Sequence, residues 1–343
     1  MRWAVILAGG SGTRFWPLST PDSPKQLLPL SGNRSTAREA VERLEGLISR
    51  DRILIVTGAA LAPKLQDHLE LEPRNVLIEP RAASTAPALV WATWETLRRD
   101  PDAEVLSLHA DWSVADPDGF RQTADRALQT ARKFDRLVTV GIVPTRPETG
   151  YGYIVPGASL DTFSRNVARF SEKPDATAAL DLMAAGALWN SGLFAWTGAT
   201  LLREIERCTP ELAGPLEALR KDDAEKFFRD VTPISIDVGL LERSNAVAVV
   251  SGAFAWDDVG TWEALTRVRP RDAQGNVLVN SAIAHESSDC VVWAGEDTVV
   301  LNGVKDLIVV QAHGRVLVMP RSRAPDMKRL LDSLPPAVRD LQG

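Results

Sequence analysis

Between Trp3 and Ile142 the chain alternates short β-branched, apolar runs with stretches of helical periodicity, and few architectures accept that rhythm. Five runs read as strands, over 3–7, 53–57, 75–78, 105–109 and 137–142. Between the first two, Thr36 and Glu39 have the spacing of a capping box, and Ala37, Ala40, Val41, Leu44 and Ile48 recur on one helical face. Phe120, Ala124, Ala127, Leu128 and Ala131 form a second such stripe, which leads into the run at 137. Strands that alternate with amphipathic helices predict a parallel sheet with helices on both faces. After Pro144 the rhythm loosens into shorter strands and helices as far as Arg269, as expected of a subregion folded over the sheet edge. From Gly275 short Val-rich runs follow at 277–279, 291–293, 299–301, 307–310 and 316–319, broken by Gly, Asn and Asp. A helical tail over 325–334 carries Met327, Leu330, Leu331 and Leu334 on one face. The expected division is a large α/β part, 1–270, and a small β-rich appendage, 271–343.

Bulk properties exclude several function classes. No apolar run is long enough to cross a bilayer, and the first apolar stretch, 3–8, meets Gly9 and Gly10 without a cleavage pattern, so a cytoplasmic location is expected. The formal net charge of -6 argues against a nucleic-acid surface, which needs clustered basic charge. Cys208 and Cys290 lack the paired spacing of thiolate metal sites, and the four histidines are scattered. A metal, if used, is expected on carboxylates.

The segment Leu7, Ala8, Gly9, Gly10, Ser11, Gly12, Thr13 and Arg14 follows the first strand directly, at the carboxyl edge where open α/β sheets bind ligands. Glycines let backbone N–H groups approach phosphate oxygens, and Arg14 offers a fork of donors to the same oxygens. A dinucleotide fingerprint starting at Gly10 would need a third glycine where Phe15 stands, and a Walker A loop would need Gly-Lys-Ser/Thr. Neither fits. Of the 39 Lys and Arg residues only eight are lysine, which makes the compact ammonium groups at Lys25 and Lys173 stand out.

The stretch from Gly9 to Pro17, continued by Pro24, Lys25, Gln26, Leu27, Leu28, Pro29 and Leu30, resembles the pyrophosphorylase motif of sugar nucleotidyltransferases. Four more segments are similar, in order and spacing, to the mannose-1-phosphate guanylyltransferase branch: Glu79–Pro80 through Thr85–Ala88, Glu148–Ile154, Glu172–Pro174 and Trp189–Gly192. The resemblance covers residues 1 to about 270. It implies a Rossmann-like α/β nucleotidyltransferase domain with a mainly parallel mixed sheet and a small C-terminal β-helix-like appendage. It further implies transfer of GMP from GTP to mannose 1-phosphate, with GDP-mannose and pyrophosphate as products.

In that resemblance Arg14 and Lys25 stabilise the phosphates and the leaving pyrophosphate. Glu79, Thr85 and Ala86 lie where the family reads guanine, although a plain strand-to-helix turn capped by Ser84 or Thr85 fits those residues as well. Gly150, Tyr151, Glu172, Lys173 and Asn190 match the sugar 1-phosphate pocket, with Asn190 able to donate and accept. Asp111 and Asp258 match the family's ligands to Mg²⁺, which typically takes only one or two carboxylates. The chain departs from the family in having Ala83 and Ser84 before Thr85, and His109-Ala110-Asp111-Trp112 around the first aspartate. Another base or sugar, or a catalytically silent nucleotide-sugar sensor, are the rival readings. A fused isomerase cupin, found in some relatives, is not expected, and a homodimer is allowed but not required.

Overall fold

A computed structural model describes residues 1–10 and 12–339 of the chain. Contacts group these residues into two compact units, the described residues of 1–9, 40–110 and 114–256 in the first, and those of 10–39, 111–113 and 257–339 in the second.

The first unit is built on a nine-stranded sheet. Its strands are β1 (Arg2–Leu7), β2 (Ile53–Gly58), β3 (Val76–Glu79), β4 (Glu104–His109), β5 (Leu137–Ile142), β6 (Tyr153–Ser159), β7 (Ser164–Ser171), β8 (Leu188–Thr197) and β9 (Val247–Ser251). They lie in the order β3-β2-β1-β4-β8-β5-β9-β7-β6. Only β7 and β8 run against the others. All five runs expected as strands are strands, within a residue at each end. The sheet folds back where β6 also pairs with β8, through Tyr153 opposite Trp189.

Helix α1 (Thr85–Arg99) shares a core with Trp3, Val5 and Leu7, which leaves the equally buried Ala4 and Ile6 for the opposite face. Helix α2 (Pro117–Phe134) buries the predicted stripe of Phe120, Ala124, Ala127, Leu128 and Ala131. Asp116 caps it by accepting from the Gly119 N–H at 3.0 Å, and Pro117 stands at its first turn, where no N–H is needed. The expected helix over 36–48 is shorter, Thr36–Glu42, and its cap is one residue earlier. Ser35 Oγ accepts from the Arg38 N–H, while Glu39 takes a hydrogen bond from Ser31 instead of closing a box.

In the second unit the chain winds into short parallel strands, β10 (Val277–Val279), β11 (Ala282–His285), β12 (Val291–Trp293), β13 (Val299–Asn302) and β14 (Leu307–Ala312), closed by antiparallel β15 (Arg315–Pro320). Register stacks Val277, Val291 and Ile308, and then Val279, Trp293 and Val310. Two positions before the first of these stacks, Gly275, Asp289 and Asp306 all take positive φ, so each coil turns its corner with a residue that tolerates that conformation. Val277 and Val279 face a core with Phe15, Trp16 and Trp262, while Leu278 and Val292 face a second with Leu301. Burial on both faces explains the unbroken Val-rich runs. β11 escaped the sequence reading because it alternates half-buried alanines with exposed Ile283 and His285 rather than forming a valine run. Helix α3 (Met327–Ser333) buries Met327 and Leu331 in the Phe15 core, as the tail periodicity predicts.

Among the described residues no helix is long and apolar enough to cross a membrane.

Candidate functional site

Within the second unit lie Arg14, Lys25, Asp111 and Asp258, and the Lys25 ammonium ties the two aspartate segments together. Lys25 opens a short turn after Pro24, is 7 % exposed, and donates to Asp111 Oδ2 at 2.7 Å and to the Asp258 carbonyl at 3.2 Å. Arg14 lies near the Asp258 carboxylate, beside Gly260. A Cβ on Gly260 would stand 2.8 Å from Asp258 Oδ2 and 3.2 Å from Arg14 Nη1, so guanidinium and carboxylate both lie close against this glycine. The neighbouring Asp257 is held elsewhere, by Arg267 at 2.5 and 3.0 Å and by the Val259 N–H. Asp258, not Asp257, is the carboxylate beside Arg14. Among the described residues no set of three or more His, Cys, Asp or Glu side chains converges as a ready-made metal site.

The glycine loop divides into anchor and open face. Leu7 and Ala8 are buried, and their backbone is engaged: Ala110 N–H donates to Leu7 O, Ala8 N–H to Val56 O, and Thr57 Oγ1 to Ala8 O. These two expected ligand contacts therefore hold the loop to the sheet. Gly9 and Gly10 are exposed, with nothing within 4 Å of where a Cβ would be. Gly12 is required sterically, at φ +60 with Lys25 Cβ and Ser19 Oγ 2.8 Å from a would-be Cβ. Thr13 begins the short turn that carries Arg14. Ser11, also expected in the loop, lies outside the described residues.

In the first unit, Glu79 ends β3 half-buried, and desolvation raises its carboxyl above the usual range. Thr85 and Ala86 are already engaged within the fold. Thr85 Oγ1 accepts from the Ile236 N–H at 2.9 Å, and the buried Ala86 donates its N–H to Ile234 O at 3.1 Å. They tie down the 234–236 segment, while Ser84 makes no side-chain cap.

The remaining sugar-motif residues do come together. Glu172 Oε1 accepts from Lys173 Nζ at 2.7 Å, and its Oε2 lies 2.6 Å from a would-be Cβ on Gly152, with Asn190 Cβ at 3.3 Å. Gly152, within the Glu148–Ile154 segment, brings its backbone close to the Glu172 carboxylate; the exposed Gly150 sits in the turn before it, its N–H bonded to Glu148. Tyr151 is 8 % exposed and packs edge-on against Trp189 and Trp256 at 5.3 and 5.2 Å, with Arg146 over the Trp189 ring, which makes it wall rather than reader. Asn190 lies opposite Gly141, near the carboxyl end of β5. Its Nδ2 donates to Asp237 Oδ1 at 2.8 Å, a residue that sequence reasoning missed. The signal was there, an acid between Ile236 and Val238, but no motif flagged it. Burial first and the Glu172 charge second push the Asp237 carboxyl up to about 6.

Comparison with known proteins identifies the family. Residues 3–275 match the nucleotidyl transferase family model, and residues 280–334 match the MannoseP isomerase/GMP-like β-helix domain. A mannose-1-phosphate guanylyltransferase of Klebsiella pneumoniae is 36 % identical over 96 % of this chain and 73 % of its own length. One from Escherichia coli K12 is 33 % identical over 97 % of this chain and 73 % of its own. The chain thus spans about three quarters of the length of these relatives. A solved structure from Thermus thermophilus, described as a mannose-1-phosphate geranyltransferase, superposes with a TM-score of 0.90 at 33 % identity, covering 96 % of this chain and 98 % of the other. On the strength of these matches along nearly its whole length, the chain belongs to the mannose-1-phosphate guanylyltransferase family of nucleotidyltransferases.

Proposed function

We propose that the chain transfers GMP from GTP to mannose 1-phosphate and releases pyrophosphate. The observation that carries this reading is Lys25, whose ammonium joins the Asp111 carboxylate and the Asp258 backbone beside Arg14. Such a cluster suits a reaction whose main demand is to position reactants and screen spread negative charge. An oxygen of the sugar phosphate attacks the α-phosphorus of GTP in line; the new P–O bond forms as the bond to the β-phosphate oxygen breaks. That nucleophile is already anionic, so no protein base is needed. Gly9, Gly10 and Gly12, with Thr13 and the undescribed Ser11, line the triphosphate, and Arg14 and Lys25 neutralise the departing pyrophosphate. Glu172, Lys173 and Asn190 hold the sugar phosphate, with Gly150 and Tyr151 bounding that pocket. Glu79, Thr85 and Ala86 shape the base side, the last two by holding the 234–236 segment.

The donor set fits Mg²⁺: two carboxylates in one unit, Asp111 already facing the Lys25 cation, with other ligand positions left to phosphate and water. Asp111 and Asp258 would hold the ion, which supplies further neutralisation of phosphate charge. The reading also places the enzyme in the cytoplasm, where Cys208 and Cys290, both free, stay reduced.

The test is pyrophosphate release from GTP and mannose 1-phosphate, with and without Mg²⁺. Asp258→Asn is expected to lower turnover by about two orders of magnitude or more. Full Mg²⁺-dependent turnover in that variant would refute the assignment, and preference for another triphosphate or sugar phosphate would redirect it.

A further inference from the structure

We propose that Asp237 is a positioning residue of the sugar-phosphate site, fixing the Asn190 amide so that Asn190 meets its substrate as a hydrogen-bond donor only. This rests on the placement of Asn190 and Glu172 in that site. Asn190 Oδ1 accepts from Thr139 Oγ1 at 2.9 Å and from the Gly192 N–H at 3.2 Å, which occupies both of its lone pairs. Its Nδ2 gives one hydrogen to Asp237 Oδ1 at 2.8 Å and, among the described residues, keeps one uncommitted. The sequence allows Asn190 to donate and accept; in the fold one N–H remains to offer, and it must meet an acceptor such as a hydroxyl or phosphate oxygen.

Two partners make this orientation one-way. A backbone N–H can only donate and an ionised carboxylate can only accept, so a flipped amide would set N–H against N–H at Gly192 and oxygen against oxygen at Asp237. Without Asp237 only the Gly192 and Thr139 side of that lock remains.

Asp237 is itself held in place. It follows Ile236, whose N–H is bound by Thr85 at the start of α1, and begins the turn Asp237–Leu241. The charged groups acting on it are Glu172 and Lys173, of opposite sign and paired with each other. A carboxylate this desolvated opposes folding once ionised, so packing alone gives no reason for an acid here. A role in orienting a substrate-facing amide does.

Steady-state kinetics on the full chain, varying GTP and mannose 1-phosphate separately, tests this. Asp237→Ala is expected to raise KM for mannose 1-phosphate about tenfold, the consequence of one misoriented hydrogen bond, with KM for GTP unchanged. Asp237→Asn keeps an acceptor oxygen for Asn190 and should recover to within about threefold of the parent. In an Asn190→Ala background, Asp237→Ala should add nothing. Asp237→Leu, similar in shape, replaces the alanine variant should that one not fold. Additive effects of the two alanine substitutions, or an equal rise in both KM values, overturns the inference and leaves the sugar-site assignment standing. An unchanged KM for mannose 1-phosphate in Asn190→Ala overturns both.

Discussion

Lys25 and Asp237 occupy opposite ends of what a buried charge can do. The Lys25 ammonium is compensated by a carboxylate at 2.7 Å and a carbonyl at 3.2 Å, so it resides in the core of its turn without an unpaired charge. Lys25→Met keeps the length and apolar stem but removes the charge, and is expected to cut kcat about a hundredfold while thermal stability changes little by comparison. Turnover assays paired with melting curves measure both. At Asp237 burial and the Glu172 charge outweigh the Asn190 hydrogen bond and the Lys173 charge. Its folded carboxyl titrates at about 6 against 3.8 for the free side chain, so the folded state holds the proton more tightly. Its contribution to stability is present below about pH 4 and is lost as pH rises through 6; above that the ionised acid works against folding, by about 2–3 kcal/mol. Asp237→Asn should therefore stabilise the protein at pH 7.5, and this advantage should shrink markedly at pH 5. Melting temperatures of the two proteins across that range decide it, and a gain independent of pH contradicts the titration.

At the scale of elements, one arginine secures the loop that follows the Lys25 turn. Arg269 donates to the carbonyls of Leu30, Pro29 and Gly32 and lies over the Trp293 ring at 5.2 Å. Its planar fork serves several acceptors at once, and desolvation lowers its pKa from the usual arginine value. Arg269→Lys keeps a charge but not this geometry, and we expect it to destabilise by about 1–3 kcal/mol, read as a shift in denaturant midpoint at constant slope. Gly12 shows a similar dependence on geometry. Gly12→Ala at φ +60, with two atoms at 2.8 Å, should cost more stability than Gly46→Ala, where φ is +81 but nothing lies within 4 Å. Equal losses in the two variants would show that backbone conformation, not contact, sets the cost.

The whole molecule is less linear than its sequence. The unit that holds Arg14, Lys25, Asp111 and Asp258 also contains the C-terminal coils, and its core joins Phe15, Trp16 and Trp262 to Val277, Val291, Trp293, Ile308, Met327 and Leu331. Phe15 meets Trp262 at 5.0 Å, and Trp262 meets Trp293 at 6.0 Å. Cutting the chain after residue 270 would expose these aromatic faces together. A fragment of residues 1–270 is thus expected to be inactive and prone to aggregate, and a soluble fragment with parental turnover would disprove this dependence of the charged cluster on the coils.

Local patterns determined much of this protein. The strands β1 to β5, the stripe of α2, the Val-rich coils and the glycine loop are legible in the chain because each depends on neighbours in sequence, through periodicity, turn chemistry and missing side chains. Arg14, Lys25, Asp111 and Asp258 stood out as residue types in suggestive places, yet bringing them into one unit depends on three distant segments folding together. Tertiary structure alone decided that Thr85 and Ala86 bind the 234–236 segment, that the Leu7 and Ala8 backbones pair with Ala110, Val56 and Thr57, and that Asn190 donates to Asp237. A hydrogen bond consumes a donor or acceptor only when its partner arrives in space, and for these groups the partner lies tens of residues away in the chain.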